Sequence, residues 1–191
     1  MYVFLDTETT GLHPGQIAQL SYLVTDEDLN LKKVFNQYYS VDHMSRSAAK
    51  VHGLTVEILD ELSNGMTFED TVDEVRDDLE DSVIIGHNIS FDIRFLKAEF
   101  ERLGPEYVPK DKFCTMFHFT PICKLPGQKR YKRPKLVELM EFLEQCPNEG
   151  LEFTKKAYGC SDVGFHDARY DTGILYLCYK KGVLMNHIKK D

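Results

Sequence analysis

The sequence predicts a three-layer α/β domain built on a mixed sheet. Three observations carry that expectation: a short apolar run at the N-terminus cut off by turn formers, two longer strand-like segments around a polar turn, and helical periodicities that alternate with further short apolar runs after residue 67. Tyr2 to Asp6 is too short for a helix and runs into Thr10, Gly11, Pro14 and Gly15, so it reads as a buried strand. Ile17 to Thr25 and Leu31 to Val41 flank Asp26, Glu27 and Asp28 and form an antiparallel hairpin. Two short helices follow, Ala48 to His52 and Val56 to Leu62, divided by Gly53 as a stop.

Phe68, Val72, Val75 and Leu79 recur at helical spacing behind Thr67, an N-cap with Asp70 three residues on. Ser82 to Gly86 is a second buried strand, Phe91 to Leu103 a helix closed by Gly104 and Pro105, and Phe113 to Met116 a third short strand. Pro121 to Pro134 holds three prolines and a glycine and is placed as an exposed loop between helices. Leu136 to Leu143 and Ala168 to Lys181 read as helices. Residues 1–191 form a single domain with no repeat or linker.

At 191 residues with 42% hydrophobic content, folding buries roughly 70% of the unfolded chain's surface, so no metal is needed to hold a core. Any bound metal serves chemistry. No apolar run approaches the ~20 residues of a membrane helix, and Met1 to Asp6 has no basic lead, so the expectation is a cytoplasmic protein without a membrane partner. The five cysteines contain no Cys-x-x-Cys pair and are read as reduced core thiols. A dinucleotide-binding dehydrogenase is excluded, because no Gly-x-Gly-x-x-Gly string occurs. The net charge of −8 argues against a polyanionic partner until its distribution is seen. Acids crowd residues 57–81, where the polar face of a helix accounts for many of them, whereas Lys124, Lys129, Arg130, Lys132, Arg133 and Lys135 occur with no acid among them. That basic stretch is either a solvated loop or a surface for a phosphate backbone, with Tyr131 placed to stack on a base.

Three strings carry chemistry. Asp6 and Glu8 end the first strand, where residues i and i+2 share a face, so two carboxylates project side by side roughly 7 Å apart at their backbones. Asp92 stands in the first turn of a helix after Gly86-His87-Asn88-Ile89-Ser90-Phe91, a place where an acid can also simply complement the helix dipole. His166 and Asp171 are five residues apart, which on an ideal helix separates them by roughly 140°. They face one site only if His166 stands on the loop before the helix and Asp171 within it. Each string alone also has an ordinary structural reading. His13, His52, His87 and His118 are read as structural, Phe91 as core, and Asn88 as fixing its turn through its side chain.

Taken together and in order, the strings resemble the three motifs of the DEDDh 3′-to-5′ exonucleases, the DnaQ-like branch of the RNase T superfamily: Asp6 and Glu8, then Asp92, then His166 and Asp171. Val51-His52-Gly53-Leu54-Thr55 and Lys132-Arg133-Pro134-Lys135-Leu136 are similar to further stretches of the group. The sister class would carry Tyr where Asp167 stands, so His166 places the chain in the histidine class. Gln19 departs from the Glu that many relatives have there.

The resemblance implies a ribonuclease H-like fold with a mixed five-stranded sheet flanked by helices. It implies release of nucleoside 5′-monophosphates from single-stranded 3′ ends, DNA in a proofreading or repair setting, with RNA trimming as the alternative. A silent binding module would lack a carboxylate or the base, and none is missing. Asp6, Glu8, Asp92 and Asp171 would hold two Mg²⁺ or Mn²⁺ ions, with His166 as general base. Backbone groups around Thr7 and Thr9 would hold the terminal 3′-hydroxyl, and Leu12 would press on the terminal base. Lys129, Arg130, Lys132 and Arg133 are further candidate substrate contacts, and a DNA polymerase subunit is a partner the resemblance allows, although no docking motif is recognisable.

Overall fold

A computed structural model describes residues 1–104, 106–164 and 166–189. The expected mixed five-stranded sheet is present, with strands β1 (Tyr2–Thr9), β2 (Ile17–Thr25), β3 (Leu31–Tyr38), β4 (Val83–Gly86) and β5 (Asp111–Cys114) in the order β3-β2-β1-β4-β5. β1, β2 and β3 pair antiparallel, while β4 and β5 add in parallel to the other edge. The helices are α1 (Arg46–His52), α2 (Val56–Ser63), α3 (Val72–Leu79), α4 (Ser90–Leu103), α5 (Thr115–Cys123), α6 (Leu136–Phe142), α7 (Pro147–Tyr158) and α8 (Ala168–Leu184).

The alternation of β1 decides which side chains meet which helices. Val3 and Leu5 enter the core shared with Val75 and Leu79 of α3 and with Ile93, Leu96 and Phe100 of α4. Phe4 points the other way, into the core formed with Phe119 of α5, Leu139 of α6 and Ile174 and Leu175 of α8. The sheet is thus the middle of three layers, and the period of two carries Asp6 and Glu8 to the α8 side with Phe4. α1 and α2 are satellites, with Leu54 and Leu59 closing over Ala18 and Val41. Gly53 stops α1 in a left-handed conformation at φ 78°, as its position predicts.

Several boundaries differ from expectation. β3 stops at Tyr38, and Thr67 opens a 3₁₀ turn, Phe68–Thr71, ahead of α3 rather than one continuous helix. The Asp70 carboxylate accepts the Thr67 backbone N–H at 2.7 Å, as a capping box requires. The third short strand is Asp111–Cys114, and Thr115 and Met116 already belong to α5. Pro121 to Cys123 are helical rather than loop, because Phe119 is fully buried and anchors α5. Pro121 removes only one N–H in the last turn before Lys124 ends the helix in a left-handed conformation. The sequence reading also passes over α7, although Pro147 in its first turn and Gly159 as its left-handed cap are helix signals. Gly104 caps α4 at φ 106°, and Pro105 lies outside the described residues. The cysteines are free, but only Cys178 is buried and Cys146 is exposed, so they are not uniformly core thiols. Among the described residues no helix is long and apolar enough to cross a membrane.

Candidate active site

β1 delivers Asp6 and Glu8, and α8 delivers Asp171 opposite them. Ligand oxygens from these three carboxylates lie within 4.8 Å of one another. α8 is held in this register by Thr172, whose hydroxyl donates to the Ser21 carbonyl of β2 at 3.2 Å, one residue beyond Asp171. Asp92 arrives from the first turn of α4 and accepts a 2.8 Å hydrogen bond from the Thr7 hydroxyl. Thr7 therefore ties the second motif to the first strand through its side chain.

The electrostatics are those of uncompensated anions. No lysine or arginine forms an ion pair with Asp6, Glu8, Asp92 or Asp171 among the described residues. Burial, reinforced by the charges of Asp171, Asp92 and Glu8, holds Asp6 well above the usual carboxylate range. Burial and the Asp171, Asp167 and Asp92 charges push Glu8 up to about 9. Asp92 rises to about 7 through burial, against the lowering effect of the Thr7 hydroxyl, and Asp171 to about 6, with burial raising it and the nearby His166 lowering it. An all-oxygen donor set that grips protons so strongly fits a hard divalent cation, whose charge would replace those protons.

His166 stands on the loop before α8, exposed and with φ 59°, while Asp171 lies inside the helix, as joint use of one site demands. Both line a cleft with Lys135, Val137, Met140 and Tyr170. A second cleft of about 340 Å³ adjoins Glu8 and is walled by Thr7, Thr9, Leu12, Val51, His52 and Phe91. Leu12 is 73% exposed at its rim, so its apolar side chain is not spent on the core. Phe91 packs against the core beneath and also lines this cleft. His52 holds the wall in place: its Nδ1 accepts the Leu54 N–H at 3.1 Å, which leaves Nε2 to donate to the Thr9 carbonyl at 3.2 Å. Burial lowers its proton affinity.

Other histidines brace the surroundings, as expected for His87, which bridges the Thr115 hydroxyl and the Pro134 carbonyl at 2.9 Å each, and for His118, bonded to the His187 carbonyl. His13 is exposed. Asn88 shapes its turn through a left-handed backbone, φ 76°, and a carbonyl that accepts the Phe91 N–H, rather than through its side chain. Lys129, Arg130 and Arg133 do not enter either cleft beside the carboxylates; they line a separate cavity, and Lys132 is paired with Glu138.

Two residues matter more than sequence reasoning recognised. Asp167 caps α8 by accepting the Arg169 N–H at 2.9 Å and grips the Arg169 guanidinium at 2.6 Å. Gln19, fully buried across from Glu8 in the sheet, donates to Asp167 at 3.0 Å and to Asn36 at 2.8 Å, and accepts the Ala168 N–H at 3.2 Å. One side-chain amide thus pins the residues that follow His166. The signal available in the sequence was a full-length amide side chain in a strand whose other members are apolar or carry only hydroxyls.

Comparison with known proteins places the chain in a family. Residues 3–179 match the family model described as Exonuclease. The DNA polymerase III subunit epsilon of Buchnera aphidicola subsp. Schizaphis graminum is 30% identical over 137 residues, 66% of this chain and 58% of that protein. The PolC-type DNA polymerase III of Streptococcus suis is 25% identical over 195 residues, 97% of this chain and 12% of that one. A structure of exonuclease X in complex with 5′ overhanging duplex DNA superposes with a TM-score of 0.69 over 100% of this chain and 95% of that chain, at 20% identity. E. coli exonuclease I in complex with a dA16 oligonucleotide gives 0.70 over 96% and 40%, at 16% identity. These likenesses show the ribonuclease H-like fold. The chain spans 58% and 56% of the length of the first two curated relatives it matches. A match that runs from residue 3 to residue 179 leaves little of the described chain outside it, and the chain belongs to the exonuclease (RNase T) family, in its DEDDh, DnaQ-like branch.

Proposed function

We propose that this protein is a divalent-metal-dependent 3′-to-5′ exonuclease that removes nucleoside 5′-monophosphates from single-stranded DNA ends. The observation that carries the reading is the convergence of Asp6, Glu8 and Asp171 within 4.8 Å, with Asp92 adjoining and His166 on the same rim. Asp6, Glu8, Asp92 and Asp171 would hold two Mg²⁺ or Mn²⁺ ions. When bound, such ions activate a water nucleophile and offset the charge that develops on the leaving 3′-oxygen. His166, exposed and lining the same cleft as Asp171, would take the proton from that water through its imidazole. The cleft between Leu12, Val51 and Phe91 receives the terminal base, while backbone groups around Thr7 and Thr9 hold the 3′-hydroxyl. DNA is favoured over RNA by the relatives named as DNA polymerase III subunits, which also make a polymerase the first protein partner to seek by co-purification.

The test is digestion of matched 5′-labelled DNA and RNA oligonucleotides, single-stranded and in mismatched duplex, with Mg²⁺, Mn²⁺ or chelator. Stepwise shortening from the 3′ end that stops with chelator is expected, faster on DNA. Asp6→Asn, Glu8→Gln, Asp92→Asn and Asp171→Asn should each nearly abolish it. Faster trimming of RNA would transfer the function to an exoribonuclease. Chelator-resistant activity would refute the metal site.

A further inference from the structure

We propose that the cavity between α5 and the loop 124–134 is a second nucleotide-binding site, which stacks a base of the single strand upstream of the reacting end. The inference rests on the exonuclease reading and adds a substrate-length requirement to it. The cavity, about 840 Å³, is lined by Phe117, Lys129, Arg130, Tyr131 and Arg133, an aromatic and cationic set with no carboxylate in it. Phe117 and Tyr131 are 45% and 52% exposed, so both rings are open to a ligand in the cavity. The Arg133 guanidinium lies 4.4 Å from the centre of the Phe117 ring, and none of its donors is used by the protein among the described residues. A guanidinium beside an exposed aromatic ring can stack on a base and pair with its phosphate.

The loop is built, not loose. The Lys132 N–H donates to the Leu125 carbonyl at 2.9 Å, and Lys132 is anchored to Glu138. A Cβ on Gly127 would lie 2.2 Å from the Arg130 carbonyl oxygen, so only glycine permits this closure. His87 fixes the loop's far end at Pro134, and the next residue, Lys135, lines the cleft that holds His166 and Asp171. Arg133 of the cavity and Lys135 of that cleft are separated in the chain by Pro134 alone, so the two sites are neighbours along one short segment. In this reading a strand that leaves the carboxylates along Lys135 reaches Arg133 and Phe117 next.

The experiment compares kcat/KM for a dinucleotide and a single-stranded 12-mer, in the full chain with Mn²⁺, for wild type and for Phe117→Ala with Arg133→Ala. The wild type should prefer the 12-mer, and the variant should lose roughly 10-fold or more of that preference, chiefly through KM. The slope of log affinity against log salt should fall by ~0.7 for the lost phosphate contact. A wild type with no length preference overturns the second site and leaves the exonuclease intact. A preference that the variant keeps overturns it too, and assigns the cavity to a protein partner or to solvent. If neither substrate is cut, the exonuclease reading fails, and anisotropy of a labelled 12-mer with wild type and variant still decides the cavity.

Discussion

Glu8→Gln should inactivate the enzyme and yet stabilise it when metal is removed, increasingly so as the pH rises. Glu8 titrates at about 9 in the folded chain against an ordinary 4.5, because burial and three neighbouring carboxylates oppose its charge. The folded state therefore holds a proton that the unfolded state has released, and between those two values stability falls as pH rises. The slope is about 1.4 kcal/mol per pH unit, so from pH 5.5 to 8.0 one such proton costs the wild type on the order of 3 kcal/mol. For a chain of this size that is on the order of 10 °C in Tm. Gln does not titrate, so the gap between variant and wild type should widen across the interval. Mg²⁺ should raise the wild-type Tm more at pH 8 than at pH 6, since fewer protons remain to be displaced. The assay is thermal unfolding in chelator and in Mg²⁺ at half-unit steps of pH. A gap that stays constant with pH would refute the account of the buried carboxylates.

His166→Ala should lower kcat by about 10²–10⁴ and flatten the acid limb of the rate profile, while calorimetry still detects metal binding; more than about a tenth of wild-type turnover would remove it from the mechanism. Asp167→Asn weakens the α8 cap and the Arg169 ion pair, so a loss of Tm of a few degrees is expected with far more activity retained than in Asp171→Asn. Gln19→Leu leaves the Ala168 N–H and the Asp167 carboxylate without that partner; kcat should fall more than KM rises, and an unchanged kcat in a folded variant would deny Gln19 a positioning role.

The sequence alone determined the parts of this protein that depend on local patterning. The period-two alternation of β1, the turn formers that end it and the capping box of Thr67 and Asp70 ahead of α3 follow from neighbours in the chain. The helix read over Ala168 to Lys181 leaves His166 before it and Asp171 within it, and the three motifs were legible only together, through their resemblance to the DEDDh exonucleases, since each string alone has an ordinary structural reading. Tertiary structure alone decided what depends on groups distant in sequence. α5 runs through Pro121 because the core claims Phe119. Lys132 gains an ion pair because Glu138 lies beside it after α6 forms. Gln19 becomes a brace for residues almost 150 positions away because β2 lies next to β1 and under α8. The proton affinities of Asp6 and Glu8 are likewise invisible in the string, since they arise from burial and from the approach of Asp171 and Asp92, carried by elements that only the packed sheet brings together.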